Sequence, residues 1–428
     1  MSSRTGDRRQ APAQESRLFS YARGLLAVTA ACLPLYVVRW QVGPLPTTLL
    51  ENLILATIAL YVIALWRAGQ LRLRRSPIDI PILLLLLSGV ISVIVAKDHR
   101  AALGLYRAYF IEPIALFYVA IDLLRGPSDY RRLLVGLGIG TSAFAALNIA
   151  NFSIAFAENR IAFGSPPSAL YQSANEVAMF LEPPLAFAAA LVLFPQRRSD
   201  RLLGVGWTLF VGLALIFTLS RGAFLALAVF AVFVILTLNP AFRKPALAVV
   251  GVIVAGAVAI LALGSHTPVV VHRLSLKALE YTSVTRFEIY WETLRMLLPH
   301  PVFGLGLGGF LLVYHEFPEI YPHDLWLTFW VELGLLGLVA FAIIFFRLFN
   351  AGWRALPLAR GFDRTVLWGG VGALVLWGVH GIFDSPYWKN DMSVEFWLVA
   401  AMLVTASATI KQHAAYSAPT GGIGAPAA

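Results

Sequence analysis

The stretch Ile82-Leu-Leu-Leu-Leu-Leu-Ser-Gly-Val-Ile-Ser-Val-Ile-Val95 carries no charge, and it is fenced by Arg74 and Arg75 on one side and Lys97 on the other. A helix needs about 20 mostly apolar residues to cross a bilayer core of ~30 Å, and residues 78–96 nearly supply them. Similar stretches lie near 22–38, 48–66, 102–122, 133–156, 173–194, 203–219, 222–238, 246–263, 324–346, 366–383 and 392–410. The expected fold is an all-α polytopic membrane protein with about twelve transmembrane helices.

Composition agrees with that reading. Of 428 residues, 59% are hydrophobic and 13% charged, about half the ~25% charge of soluble domains. A soluble fold of this length has no way to hide so much apolar surface behind so few charges. Eleven tryptophans suit the aromatic belts at membrane interfaces. The single cysteine, Cys32, excludes an intramolecular disulfide. A net charge of +10 in a soluble chain would point to nucleic acid; here it reads as arginines anchoring cytoplasmic loops, and no nucleic-acid partner is expected. Residues 1–20 are polar and basic, so the first apolar run reads as a retained helix rather than a cleaved signal.

With a cytoplasmic N-terminus, 22 of the 33 lysines and arginines fall on the inner side, ten fall outside, and Arg107 lies within a span. The positive-inside bias therefore places both termini in the cytoplasm. The chain divides into a cytoplasmic tail (1–21), helices one to nine (22–263), a large periplasmic helical loop (264–323), helices ten to twelve (324–410) and a disordered cytoplasmic tail (411–428).

The outer basic residues run against the topology rule: Arg39, Lys97, Arg100, Arg160, Arg221, Arg273, Lys277, Arg286, Arg295 and Lys389. An anionic substrate at the outer leaflet is one reason to keep them; the plain alternative is that exposed loop charges cost little. Arg221 lies in the turn Leu219-Ser220-Arg221-Gly222-Ala223 between two spans. A charge placed toward the bilayer centre costs ~2.5–3.5 kcal/mol on insertion scales. Guanidinium offers a planar, bidentate fork for phosphate, although an arginine can also snorkel to lipid phosphate.

In the long loop, Thr285 and Glu288 form a capping-box pattern. Val284, Phe287, Trp291, Leu294 and Leu298 then mark one buried or membrane-facing stripe. Arg286 sits off the stripe in the first turn, beside amides that favour anions; its alternative is a salt bridge with Glu288 or Glu292. The glycines from Gly304 to Gly309 read as a tight re-entry turn, because no strand precedes them.

His323 heads the span at 324–346, where a histidine at the water–lipid boundary can accept a hydroxyl proton; the alternative is a polar cap. Gly334 and Gly337 would let another helix approach closely. Arg107 and Glu112, five apart, are not expected to share a helix face. Glu182-Pro183-Pro184 should kink its span, and His380 and Asp384, four apart, can pair. The histidines show no paired-ligand spacing, and no Walker lysine or Gly-x-Ser-x-Gly elbow occurs, so neither a metal nor another cofactor is expected.

Taken together, Ser220-Arg221-Gly222 after an apolar helix, Arg286-x4-Trp291, Pro301-Val-Phe-Gly-Leu-Gly-Leu-Gly308 and His323-x10-Gly334-x2-Gly337 resemble the bacterial O-antigen ligase and polymerase superfamily. The turn from Tyr171 to Glu176, with Asn175, is similar to that family's Asn-containing turn. The resemblance is specific over about residues 170–340. One position departs from it: the residue after the histidine is usually Asn, Ser or Gln, and here it is Asp324, which would tune or orient His323.

The resemblance implies a GT-C-like glycosyltransferase of the bacterial inner membrane, working on the periplasmic face in lipopolysaccharide biosynthesis. It would move O-antigen polysaccharide from undecaprenyl diphosphate to lipid A–core oligosaccharide, without a metal and with inversion. Arg221 and Arg286 would hold the diphosphate, His323 would take the acceptor proton, and Arg39, Arg160 and Asn175 would line the substrate site. Two alternatives stand beside it: a polymerase using the same donor, and a polysaccharide flippase. A flippase would be expected to show repeated broken helices, and none is evident.

Overall fold

The computed structural model describes residues 11–43, 45–70, 74–158, 160, 166–238, 276–314 and 317–417. The span expected at 246–263, the start of the 264–323 loop and the outer parts of both tails lie outside the described residues.

Helix α1 (Ala11–Ala31) stops short of the expected 22–38. Pro34 has no amide to donate and disfavours a helical residue before it, so Leu33–Val37 tightens into a 3₁₀ turn. Strands β1 (Arg39–Val42) and β2 (Leu45–Thr48) follow as a hairpin, with Arg39 opposite Thr48. Thr48 and Glu51 close a capping box that starts α2 (Leu49–Arg67). After α3 (Asp79–Val95) come α4 (His99–Tyr106), a π-helical turn (Arg107–Ile111) and α5 (Glu112–Leu123). That turn corrects one expectation. Its i→i+5 register brings Arg107 and Glu112 onto one face, and Arg107 Nε lies 3.4 Å from the carboxylate.

Helices α6 (Pro127–Ala157), α7 (Ala174–Leu193), α8 (Arg198–Phe217) and α9 (Arg221–Thr237) precede the long loop, and α7 stays one continuous helix through Pro183 and Pro184. The described part of the loop holds α10 (Leu276–Leu297) and a hairpin of β3 (Leu312–Tyr314) and β4 (Phe317–Glu319). Helices α11 (Leu325–Ala355), α12 (Gly361–His380) and α13 (Asn390–Ser417) complete the fold.

The fold is a predominantly helical membrane protein. Among the described residues, seven segments are long and apolar enough to cross a bilayer: α2, α4 to α5, α6, α7, α8, Leu325–Leu358 and Asn390–His413. Helices α3 and α9 are apolar but shorter, and α1 and α12 fall outside that set. Large apolar side chains such as Ile80, Leu83 and Ile94 on α3 are left uncovered, as lipid-facing walls require. The most enclosed spans are α7, packed between α8 and α12, and α13, packed on α5 and α11.

Helix α11 departs most from its expected form. Gly334 has φ 72° and ψ −178°, which no helix tolerates. Trp326 stacks on Phe346 at 6.0 Å and Phe329 on Phe341 at 3.8 Å. Twenty residues along a straight helix would separate the first pair by ~30 Å, so residues 325–333 fold back against 335–355 as a hairpin. The glycine loop locks the tip. Leu305 N–H donates to Val331 O at 2.7 Å, and Leu335 N–H donates to Val302 O at 2.9 Å, satisfying backbone groups that the break would orphan. A Cβ on Gly334 would stand 2.3 Å from Val302 O, and one on Gly304 2.5 Å from Val331 O. Glu332, buried at the tip, accepts the amides of Gly308 and Phe310.

The glycine loop and Gly334 thus serve a fold-back. The expected approach of a second helix is replaced at Gly334 by the chain's own loop, while at Gly337 α3 does come close, with Ser88 Oγ 3.0 Å from where a Cβ would stand. His323 ends the returning arm.

Candidate active site

Three segments converge on Asp384, in the connection between α12 and α13. His323 Nδ1 lies 3.2 Å from Asp384 Oδ1, which also accepts Ser385 N–H at 2.9 Å. Asn175, in the first turn of α7, donates to Oδ2 at 3.2 Å, and Arg286 Nη2, from α10, lies 3.6 Å from the same oxygen. Arg286 Nη1 also donates to the His323 carbonyl at 3.3 Å. The Tyr290 hydroxyl stands 2.9 Å from both the His323 and Ile382 carbonyls, its one proton serving one at a time. The returning arm is pinned to the same connection by Leu325 N–H to Gly381 O at 2.7 Å and by the Thr328 and Ser385 hydroxyls at 2.6 Å.

His323 has φ 54°, an uncommon backbone state for a non-glycine residue that clusters at functional sites. Its second ring nitrogen, Nε2, is 2.8 Å from Glu319 Oε2 at the end of β4. Burial opposes the imidazolium, but Asp384 and Glu319 prevail and push His323 up to about 9. Burial would likewise raise Asp384; His323 and Arg286 hold it well below the usual carboxylate range. The hydrogen bond from His323 lowers Glu319. In this state the imidazole bridges two carboxylates, and any hydroxyl that gives it a proton must take the place of Glu319.

Arg221 is the first residue of α9, whose N-cap is the Ser220 hydroxyl, accepting Ala223 N–H at 3.3 Å. Leu219 before it has φ 49°, which turns the chain sharply from α8 into α9. Burial is the larger influence on the Arg221 guanidinium, and the positive charge of Arg286 reaches it as well. The two guanidinium groups are therefore within electrostatic reach of each other. Gly222 presses on His380, whose Nε2 would lie 2.8 Å from any Cβ there. His380 Nδ1 is 2.7 Å from Glu182 Oε1, and both side chains are buried.

Several expectations change here. His380 and Asp384 do not pair side chain to side chain, because α12 ends at His380 and Asp384 turns away; Asp384 N–H instead donates to His380 O at 3.0 Å. Arg286 pairs with Asp384 rather than Glu288 or Glu292, and Glu292 pairs with Arg295 at 2.7 Å. Asp324 caps the arm through Leu327 N–H at 2.7 Å and makes no bond to the His323 ring. Of the two readings left open for the stripe on α10, buried or membrane-facing, burial in the protein is the one removed: Phe287, Trp291, Leu294 and Leu298 are exposed, and Ile289, Thr293 and Leu297 turn inward.

Arg39 and Arg160 lie outside the hydrogen-bonded cluster. Arg39 is exposed on β1 with its guanidinium 5.7 Å from the Tyr36 ring, and Arg160 pairs with Glu158. Glu319 and Tyr290 enter the site without having been singled out in the sequence. Among the described residues, no group of three or more His, Cys, Asp or Glu is placed to hold a metal ion.

The stretch from α8 through the folded arm, which carries Arg221, Arg286 and His323, decides the relationship. Residues 205–342 match the family model described as O-antigen ligase. Over that segment the chain, a membrane protein by its apolar helices, is similar to the O-antigen ligase family that its motifs resemble. The match begins within α8 and ends in the crossing part of α11, so Asn175, Asp384 and the His380–Glu182 pair lie on elements outside it. No curated protein matches the chain.

Proposed function

We propose that the protein is a metal-independent membrane glycosyltransferase that moves O-antigen polysaccharide from undecaprenyl diphosphate to lipid A–core oligosaccharide. In this reading the chain crosses the inner membrane twelve times, keeps both termini in the cytoplasm and works at the periplasmic face. The observation that carries it is the convergence of His323 and Arg286 on Asp384, with Arg221 in the same electrostatic neighbourhood.

The chemistry is a direct displacement. An acceptor hydroxyl takes Glu319's place at His323 Nε2, and its oxygen attacks the anomeric carbon as its proton passes to the imidazole. The bond from that carbon to the diphosphate oxygen breaks, and undecaprenyl diphosphate leaves with the electron pair. Arg221 and Arg286 stabilise the developing negative charge, a preorganised electrostatic role that divalent cations fill in other enzymes. One attack inverts the anomeric centre.

The test is His323→Ala in cells. The expected outcome is long lipid-linked polysaccharide that is never attached to lipid A–core. Single repeat units accumulating on the carrier, with preformed chains still attached, would make the protein a polymerase. A requirement for Mg²⁺ or Mn²⁺ after EDTA treatment of purified protein would reassign the charge-stabilising role.

A further inference from the structure

Helix α10 has three faces. Ile289, Thr293 and Leu297 are buried on the side from which Arg286 and Tyr290 reach His323. Glu288, Glu292 and Arg295 form a polar flank. The remaining face is apolar and uncovered, with Phe287 71%, Trp291 51% and Leu298 77% exposed and Leu294 between them. At about 100° per residue these four side chains fall within an arc of roughly 60°. A surface facing water rarely presents so narrow and bulky a stripe.

Three observations say what covers it. The helix is tied through Tyr290 and Arg286 to the carbonyl of His323, at the end of the membrane hairpin. Beyond α10 the exposed Val302 and Phe303 carry the apolar surface onward, and Val302 O accepts Leu335 N–H at 2.9 Å. Leu335 and Val339 belong to the uncovered, lipid-facing wall of the crossing segment, so the stripe on α10 continues a surface that lipid already covers. Finally, the Arg295 guanidinium lies 5.4 Å from the Trp291 ring centroid. Tryptophan and snorkelling arginine together are interface anchors.

We propose that α10 lies along the membrane interface on the site's side, with Phe287, Trp291, Leu294 and Leu298 among the acyl chains. The same helix then holds Arg286 and Tyr290 at headgroup depth, facing inward, so the leaflet itself helps set the height of the site. This inference rests on the membrane fold and not on the proposed reaction, so either can fail alone.

Cys32 is the only cysteine, which makes the test direct. In a Cys32→Ser background, single cysteines replace Phe287, Trp291 and Leu298, and Glu288 and Glu292 serve as flank controls. Each full-length variant is spin-labelled in nanodiscs of phosphatidylethanolamine and phosphatidylglycerol, and collision with oxygen and with a water-soluble nickel chelate is measured. Stripe labels should show an oxygen-to-nickel ratio several-fold above the flank labels. Equal ratios, with the stripe open to nickel, would overturn the proposal. For protein with its native sequence, lipids bearing a photoreactive group in the acyl chain should cross-link within residues 287–298. Cross-links confined to the spans would overturn it equally.

Discussion

Two histidine–carboxylate pairs stand around the outgoing end of α12, and they differ in what surrounds them. In His323–Asp384 the imidazole side chain is 21% exposed, and its second nitrogen rests on a carboxylate that a substrate hydroxyl can replace. In His380–Glu182 the side chains are 1% and 0% exposed, and the second nitrogen is pressed against Gly222. Glu182 Oε2 finds no hydrogen-bond partner among the described residues. The same two groups thus do different things. The open pair keeps its carboxylate fully engaged by Asn175, Arg286 and Ser385, so the imidazole can exchange a partner without losing its place. The closed pair joins α7 to α12 and leaves no room for an exchange.

The largest effect should separate them. His380→Ala leaves Glu182 buried without its partner, and breaking a buried pair costs about 3–5 kcal/mol. We expect little folded protein by size-exclusion chromatography, whatever its activity. His323→Ala should fold normally and lose about 10²- to 10⁴-fold in transfer rate, the usual worth of a positioned acid–base group. A well-folded, active His380→Ala variant would erase the contrast.

How much of this was legible in the sequence depended on what kind of information each feature needs. Uncharged runs announced the described helices that are long and apolar enough to cross a bilayer, and arginines on the side expected to be outer drew attention to Arg221 and Arg286. The fold-back at Gly334 was hidden because the run is apolar on both sides of it, and only the contacts of Trp326 and Phe329 with residues far along the chain reveal it. Asp384 was visible but given the wrong partner, since four-residue spacing implies pairing only where the helix continues. Arg107 and Glu112 failed the opposite way, brought together by a π turn that helical spacing does not anticipate. Glu319 reaches His323 from a three-residue strand, too short to leave a pattern.

A smaller effect should come from the exchangeable partner. His323 is raised to about 9, against an unfolded value near 6.5. Its pairing therefore contributes fully below about pH 6.5 and is lost as pH rises through about 9. Over the same range the imidazole becomes free to accept a proton, so the substrate-free enzyme's kcat/KM should climb toward about pH 9. Glu319→Gln removes one of the two carboxylates that raise His323. The alkaline-rising limb should move toward neutral pH, with activity at pH 7 preserved or increased. An unmoved limb would mean that Glu319 is not the group the hydroxyl replaces, and the open pair would be no more exchangeable than the closed one.

The smallest effect belongs to Asp324, the neighbour that tempts a catalytic assignment. Its carboxylate caps residues 325–333 through Leu327 N–H, and a lost N-cap typically costs about 1 kcal/mol. Burial raises it to about 6, although the amides of Leu327 and Trp326 pull the other way. A carboxyl raised in the folded state loses stability as pH climbs from about 4 to 6, because the folded chain must give up a proton it holds more tightly. Asparagine offers the same cap without that charge. Asp324→Ala should therefore lower the thermal midpoint slightly, while Asp324→Asn should match or exceed the parent at pH 7. Neither should move the pH–rate limb, since the His323 ring is held by Asp384 and Glu319. A shifted limb in Asp324→Asn would show that the residue after the histidine tunes it after all, and the cap would be the lesser of its two roles.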